Sequence, residues 1–159
     1  MKKIALLCLL FAAQAQADEW DFAVEINGKS NHASKYCDGT PCNEKNDGFG
    51  LELRNYTTWP TIFAIGYFKN SINYDSWYAG VGKTLRLGDK YGIEVGIFGT
   101  YMSYKTQQEE HKFLAAAPII VFDLNSIRIN TIYFPAYEDN LYKTGAVWFF
   151  QLVVPIRSR

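Results

Sequence analysis

Two groups of residues in this chain have the makings of a reaction centre. His32 stands in a polar stretch running from about Gly28 to Asp47. Asn70-Ser71 opens a second one that continues through Ile72-Asn73-Tyr74-Asp75-Ser76. A neutral imidazole can take the proton of a serine hydroxyl and turn it into a nucleophile. Spacing alone does not bring His32 to Ser71; a fold that sets both loops on one rim would. The bland alternative is that exposed loops are rich in Ser, Asn and His because these residues suit turns and water. Cys37 and Cys42 flank Asp38-Gly39-Thr40-Pro41, a turn-rich sequence. In an exported chain their default is a local disulfide. A metal site there would need two more soft ligands, and only His32 offers itself, so no metal is expected. His111, with Glu109 and Glu110, reads as a solvated charged loop. No cofactor is expected.

The elements that must position these residues belong to an exported chain. Met1-Lys2-Lys3 is a basic start, Ile4 to Ala13 an apolar core and Ala15-Gln16-Ala17 a small-x-small cleavage site, so residues 1–17 read as a signal peptide. Cys8 leaves with that segment. The remaining residues, 18–159, suffice for a single domain. The whole chain has 16 basic and 16 acidic residues; removing Lys2 and Lys3 leaves 14 against 16, about two net negative charges. That balance gives no electrostatic case for nucleic acid. No apolar run in the mature part is long enough for a transmembrane helix. The aromatic content of 16% instead points to aromatic belts at a bilayer boundary.

Alternation supplies the crossing elements. Trp20, Phe22, Val24 and Ile26 alternate with Asp21, Ala23, Glu25 and Asn27, a strand with one oily and one polar face. Further strands are expected over Gly48–Tyr56, Thr61–Lys69, Trp77–Arg86, Tyr91–Tyr104, Leu114–Leu124 (interrupted by Pro118), Ile127–Phe134 and Gly145–Val154. Connections after the odd strands are long or polar, among them Lys105 to Lys112, and those after the even strands are tight turns. These features predict an all-β, eight-stranded antiparallel up-and-down transmembrane β-barrel in the outer membrane of a Gram-negative cell, its polar loops outside. A soluble eight-stranded barrel is the rival, but it would want an apolar inside and a polar outside. Glu25, Glu52, Arg54, Glu94 and Arg128 would pair within the lumen, away from lipid. Tyr104, Tyr133, Tyr137 and Tyr142 read as interface anchors. Gly66, Gly80, Gly82, Gly96 and Gly99 either thin the wall around a cavity or relieve crowding.

Several segments resemble the lipid A palmitoyltransferase family, small outer-membrane barrels. The stretch from Phe68 through Gly82 resembles its second-loop motif without a gap. Ser71 falls on the family's catalytic serine, Asn70 on its catalytic aspartate and Gly82 on the glycine flooring its acyl pocket, with Gly80 beside it. His32-Ala33 resembles the histidine motif of the first loop, and Asn43-Glu44-Lys45 with Gly48-Phe49-Gly50-Leu51 the start of the second strand. Pro118 and Tyr133-Phe134-Pro135 sit like the prolines that break the ladder where the family admits lipid laterally. The resemblance implies an acyltransferase moving a fatty-acyl chain from phospholipid to lipid A, with membrane lipids as partners and the chain a monomer. The departures are a shorter first loop carrying the cysteine pair, no helix ahead of the barrel, and an amide at Asn70. They suit the alternative, a non-catalytic barrel acting through its external loops by ligand binding, receptor blocking or envelope stabilisation.

Overall fold

The computed structural model describes residues 20–37, 39–55, 59–87, 92–107, 109–138 and 143–156, with backbone alone for 137, 138, 143 and 144. The signal segment, Asp38 and Tyr142 lie outside these residues. Eight long strands run Trp20–His32 (β1), Lys45–Asn55 (β2), Thr61–Lys69 (β3), Asp75–Leu87 (β4), Gly92–Lys105 (β5), Glu110–Asp123 (β6), Arg128–Phe134 (β7) and Val147–Pro155 (β8). Each pairs antiparallel with its chain neighbours, and β1 pairs β8, closing the barrel. Closure removes the sheet edges except along the part of β6 ahead of Ile119, which lacks rungs to β7 among the described residues.

The alternation behaves as expected. Phe22, Ile26, Phe49, Leu51, Ile65 and Ile97 point out and are exposed, while Asp21, Glu25, Glu52, Arg54, Glu94 and Arg128 point in and are buried. An oily outside around a polar inside is the inverse of a water-soluble barrel and is the distribution lipid demands. The outward aromatics pair across strands, as in Phe49–Tyr67, Trp77–Tyr101 and Tyr133–Trp148.

The lumen is filled rather than open. At the end away from His32, Arg128 donates to Asp21 (3.0 Å) and Glu52 (2.8 Å), and Arg54 pairs with Glu94. Thr84 and Arg86 complete the cage around Glu94. Glu25 differs from the expectation of ionic pairing: its hydrogen-bond partner is the Tyr78 hydroxyl, which Gln151 also reaches. Tyr78 finds room because Gly50 and Gly66 lie beneath its hydroxyl, where a Cβ would meet it at 2.5 and 2.6 Å. Ile62, Phe98, Ile119, Ile132 and Phe149 build an apolar cluster over β3 to β8. An eight-stranded barrel is just wide enough for side chains to fill in this way.

Two loop expectations are corrected. The polar stretch after β1 is shorter than Gly28–Asp47, because β1 runs on to His32 and β2 begins at Lys45. Likewise Lys105 to Lys112 is no long loop. The β5–β6 ladder reaches Lys105↔Glu110, and Thr106 closes the turn by exchanging hydrogen bonds with Glu109. Ladder pairing overrides polar composition in both places, since barrel strands can run past the apolar band with polar residues on both faces.

Candidate functional site

The site forms at the rim that carries residues 33–37, 39–44, 70–74, 106–107, 109, 135–138 and 143–146. It begins with a bulge. Simple alternation would put His32 on the oily face with Trp20, Phe22, Val24 and Ile26. At Gly28 the register shifts, so that Asn27 pairs with Gln151 but Lys29 with Phe150. Beyond it the faces exchange: Lys29 and Asn31 are exposed, Ser30 is buried and His32 is half-buried. A bulge commonly re-aims a side chain in this manner. Here it turns His32 over the mouth of the lumen, past the outward apolar band.

The second loop is ordered around Asn70. Its backbone N–H donates to Tyr74 O (2.9 Å), and the Asn73 N–H returns to Asn70 O (2.9 Å) with Asn73 at φ 67°. That left-handed conformation suits asparagine. The fully buried Asn70 side chain accepts from the N–H groups of Ile72 and Tyr74 and donates to Ser76 Oγ (3.1 Å) and Lys105 O (2.7 Å). Every hydrogen-bonding position of this amide is thereby committed to the turn and to β5.

Ser71, next in the chain, is left facing the mouth. Its Oγ lies 2.7 Å from His32 Nε2, although 39 residues separate the two. The first loop holds them together. Asn43 N–H donates to Ser71 O (2.7 Å) and Asn43 Nδ2 to Asn70 O (3.0 Å). Ala33 N–H donates to Ala146 O (2.9 Å), tying this loop to the last one. Cys37 and Cys42 form the expected disulfide, on and beside a small ribbon in which Tyr36–Cys37 pairs with Thr40–Pro41. Sequence reading did not single out Asn43 as the organiser, because nothing local distinguishes it from other loop amides.

The imidazole has a particular electrostatic setting. Burial lowers the His32 pKa below its ordinary value, with the charge of Glu44 opposing, so the ring is neutral at neutral pH. Its Nδ1 is buried and has no hydrogen-bond partner among the described residues. A serine–histidine–acid triad needs an acceptor at that nitrogen to set the tautomer and stabilise imidazolium. The structure thus brings His32 and Ser71 together but leaves Asn70 turned to its own loop.

Gly80 and Gly82 face the lumen from β4, but the space over them is taken. A Cβ on Gly80 would stand 2.5 Å from the Phe98 ring, and one on Gly82 2.9 Å from it. Pro118 faces outward on β6, opposite Ile97, and Pro135 is exposed just past β7. Together they mark a seam. The β6–β7 ladder runs from Asp123↔Arg128 to Ile119↔Ile132 and stops, leaving the rest of β6 without rungs on that side among the described residues.

No protein-family model and no curated protein matches this chain. Among solved structures, the chain is similar to the outer membrane protein Ail of Yersinia pestis. The Ail backbone structure in a phospholipid bilayer nanodisc aligns with a TM-score of 0.46 at 17% identity, over 87% of this chain and 100% of Ail. The Ail crystal structure gives 0.46 at 14%, over 86% and 96%. The crystal structure of Ail with the heparin analogue sucrose octasulfate gives 0.46 at 13%, over the same shares. The barrel assignment rests on this chain's own strand pairing.

Proposed function

We infer that the protein is an outer-membrane barrel that works as a binding surface at its loop rim, without passing acyl chains through its lumen. The observation that carries this reading is the Phe98 ring seated over Gly80 and Gly82, where an acyl chain would have to lie. The commitment of Asn70 to its turn and the bare Nδ1 of His32 point the same way. The rim has the qualities of a recognition platform. Three loops are knit by backbone hydrogen bonds and a disulfide on a rigid scaffold, and Tyr36 stands 66% exposed on it beside Lys35. Such loops are where scaffolds carry binding. In this reading the rim faces outside the cell.

A second reading, acyl transfer from phospholipid to lipid A, is favoured by the 2.7 Å His32–Ser71 pair and by the seam at Pro118 and Pro135. There, lipid would enter laterally, Ser71 would act at the ester carbonyl with His32 receiving its proton, and Gly82 would lie near the chain end. Asn70 would orient or polarise, and neither reading uses a cofactor. Mass spectrometry of lipid A from cells making the wild type, Ser71→Ala or no protein separates the two. The binding reading expects identical acylation in all three. An added acyl chain that vanishes with Ser71→Ala sinks it and establishes the second.

A further inference from the structure

One ring nitrogen of His32 and the sulfurs of Cys37 and Cys42 lie within 4.8 Å of one another. While the sulfurs are bonded to each other they hold no metal. Three features equip the same residues to do so once the bond is opened. The loop keeps its shape by other means: Cys42 N–H donates to Lys35 O (3.0 Å), Thr40 Oγ1 to Cys37 O (3.0 Å), and Asn43 ties the strand end to Ser71. The two thiols would therefore stay together beside His32 after reduction. His32 Nδ1 is buried and unpartnered, a lone pair with no other use in the described structure. Finally, Ser71 Oγ sits 2.7 Å from Nε2. A metal-ligating histidine nearly always donates its other ring N–H to an acceptor that fixes tautomer and ring orientation. Ser71 is placed to be that acceptor.

We propose that Cys37, Cys42 and His32 form a thiol-gated site for a zinc-class metal ion, closed as the disulfide and opened by reduction. Small thiols are the reductant. Two of them give their hydrogens to the Cys37 and Cys42 sulfurs and leave joined as their own disulfide. The ion then displaces a proton from each cysteine and takes His32 through Nδ1, while Nε2–H donates to Ser71. Two thiolates and an imidazole suit zinc and leave its fourth tetrahedral position for water, as in sites that remain open. The inference stands apart from the binding reading, since it concerns ligation and not what the rim docks to. It gives Ser71 and His32 a joint role that needs neither an acid at Asn70 nor a lumenal slot.

The test uses the full mature barrel refolded in detergent micelles, oxidised or reduced with a water-soluble phosphine, and titrated anaerobically with Co2+ and then Zn2+. Reduced protein should develop the near-ultraviolet thiolate-to-cobalt band and lose it to zinc, while oxidised protein shows none. Ser71→Ala should weaken zinc binding about 10-fold, the usual effect of losing an outer partner, and His32→Ala by more than that. Cys37→Ser with Cys42→Ser should abolish the band, heat-modifiable gel mobility confirming that the barrel is folded. The oxidised–reduced comparison on wild type needs no substitution. Absence of the band in reduced protein, an equal response from oxidised protein, or unchanged affinity in His32→Ala would each overturn the proposal.

Discussion

Asn70 offers the sharpest test of how the rim is built. Substituting alanine removes the acceptor for the Ile72 and Tyr74 N–H groups (3.1 and 3.0 Å) and the donors to Ser76 Oγ and Lys105 O. The residue is fully buried, so water does not take over these roles without the loop opening. An unsatisfied buried polar group costs about 1–3 kcal/mol, and partial relaxation of the loop brings the sum to roughly 2–4 kcal/mol. Aspartate at this position keeps both acceptor roles but sets a carboxylate against Lys105 O, 2.7 Å away in the native contact. Its expected penalty is smaller, about 1–3 kcal/mol, and arises from lost donation. Urea unfolding in micelles, followed by tryptophan fluorescence, measures both values. Amide exchange at Ile72 and Tyr74 reports the loop directly and should accelerate in Asn70→Ala. In the binding reading Asn70→Asp adds no acyl chain to lipid A, because its carboxylate stays turned to those two amides. The reasoning fails if Asn70→Ala unfolds within about 0.5 kcal/mol of wild type with both amides still protected.

Further outcomes follow from the lumen and the rim. Arg128→Ala removes the cation paired with the buried carboxylates of Asp21 and Glu52 and should destabilise the barrel by about 3–5 kcal/mol in the same unfolding assay. Phe98→Ala should cost about 3–5 kcal/mol and open an apolar space above Gly80 and Gly82; detergent or lipid chains found there by nuclear Overhauser contacts would check it. The His32 pKa is lowered in the folded protein relative to an unfolded value near 6.5, so the unfolded rim takes up the proton more readily. Rim stability is then unaffected above about pH 6.5 and declines as the pH falls below it, and an NMR titration should place the His32 midpoint below 6.5.

The barrel was legible because membrane strands state their faces in a period of two. Thr61–Lys69 falls on β3 residue for residue, and the alternation of Trp20 to Asn27 holds along β1, with Asp21, Ala23, Glu25 and Asn27 buried. Strand ends past the lipid band were less legible, since Lys45, Asn46 and Glu110 sit in ladders that polar composition argues against. The pairing of Cys37 with Cys42 was readable from spacing and turn chemistry. The side on which His32 would fall was not, because one bulged residue at Gly28 reverses every face after it. The use of the Asn70 side chain was equally hidden: its partners include Lys105 O, a backbone atom whose position depends on the pairing of β4 with β5. Nor does anything local in the sequence announce that Phe98 lies over Gly80 and Gly82, a cross-strand relation fixed only by register.

The hydrogen bond from Ala33 to Ala146 joins the residue after β1 to the residue before β8. Those two strands are the first and the last pieces of wall along the chain, and their pairing closes the circle. The first loop therefore has this tie, unlike those from Asn43 to the second loop, only when the circle is complete. A barrel halted one strand short would hold the first loop through the Asn43 contacts, without the Ala33 tie. The Ala33–Ala146 tie is thus a mark of the closed circle, and a ligand that requires it would discriminate closed barrels from open ones.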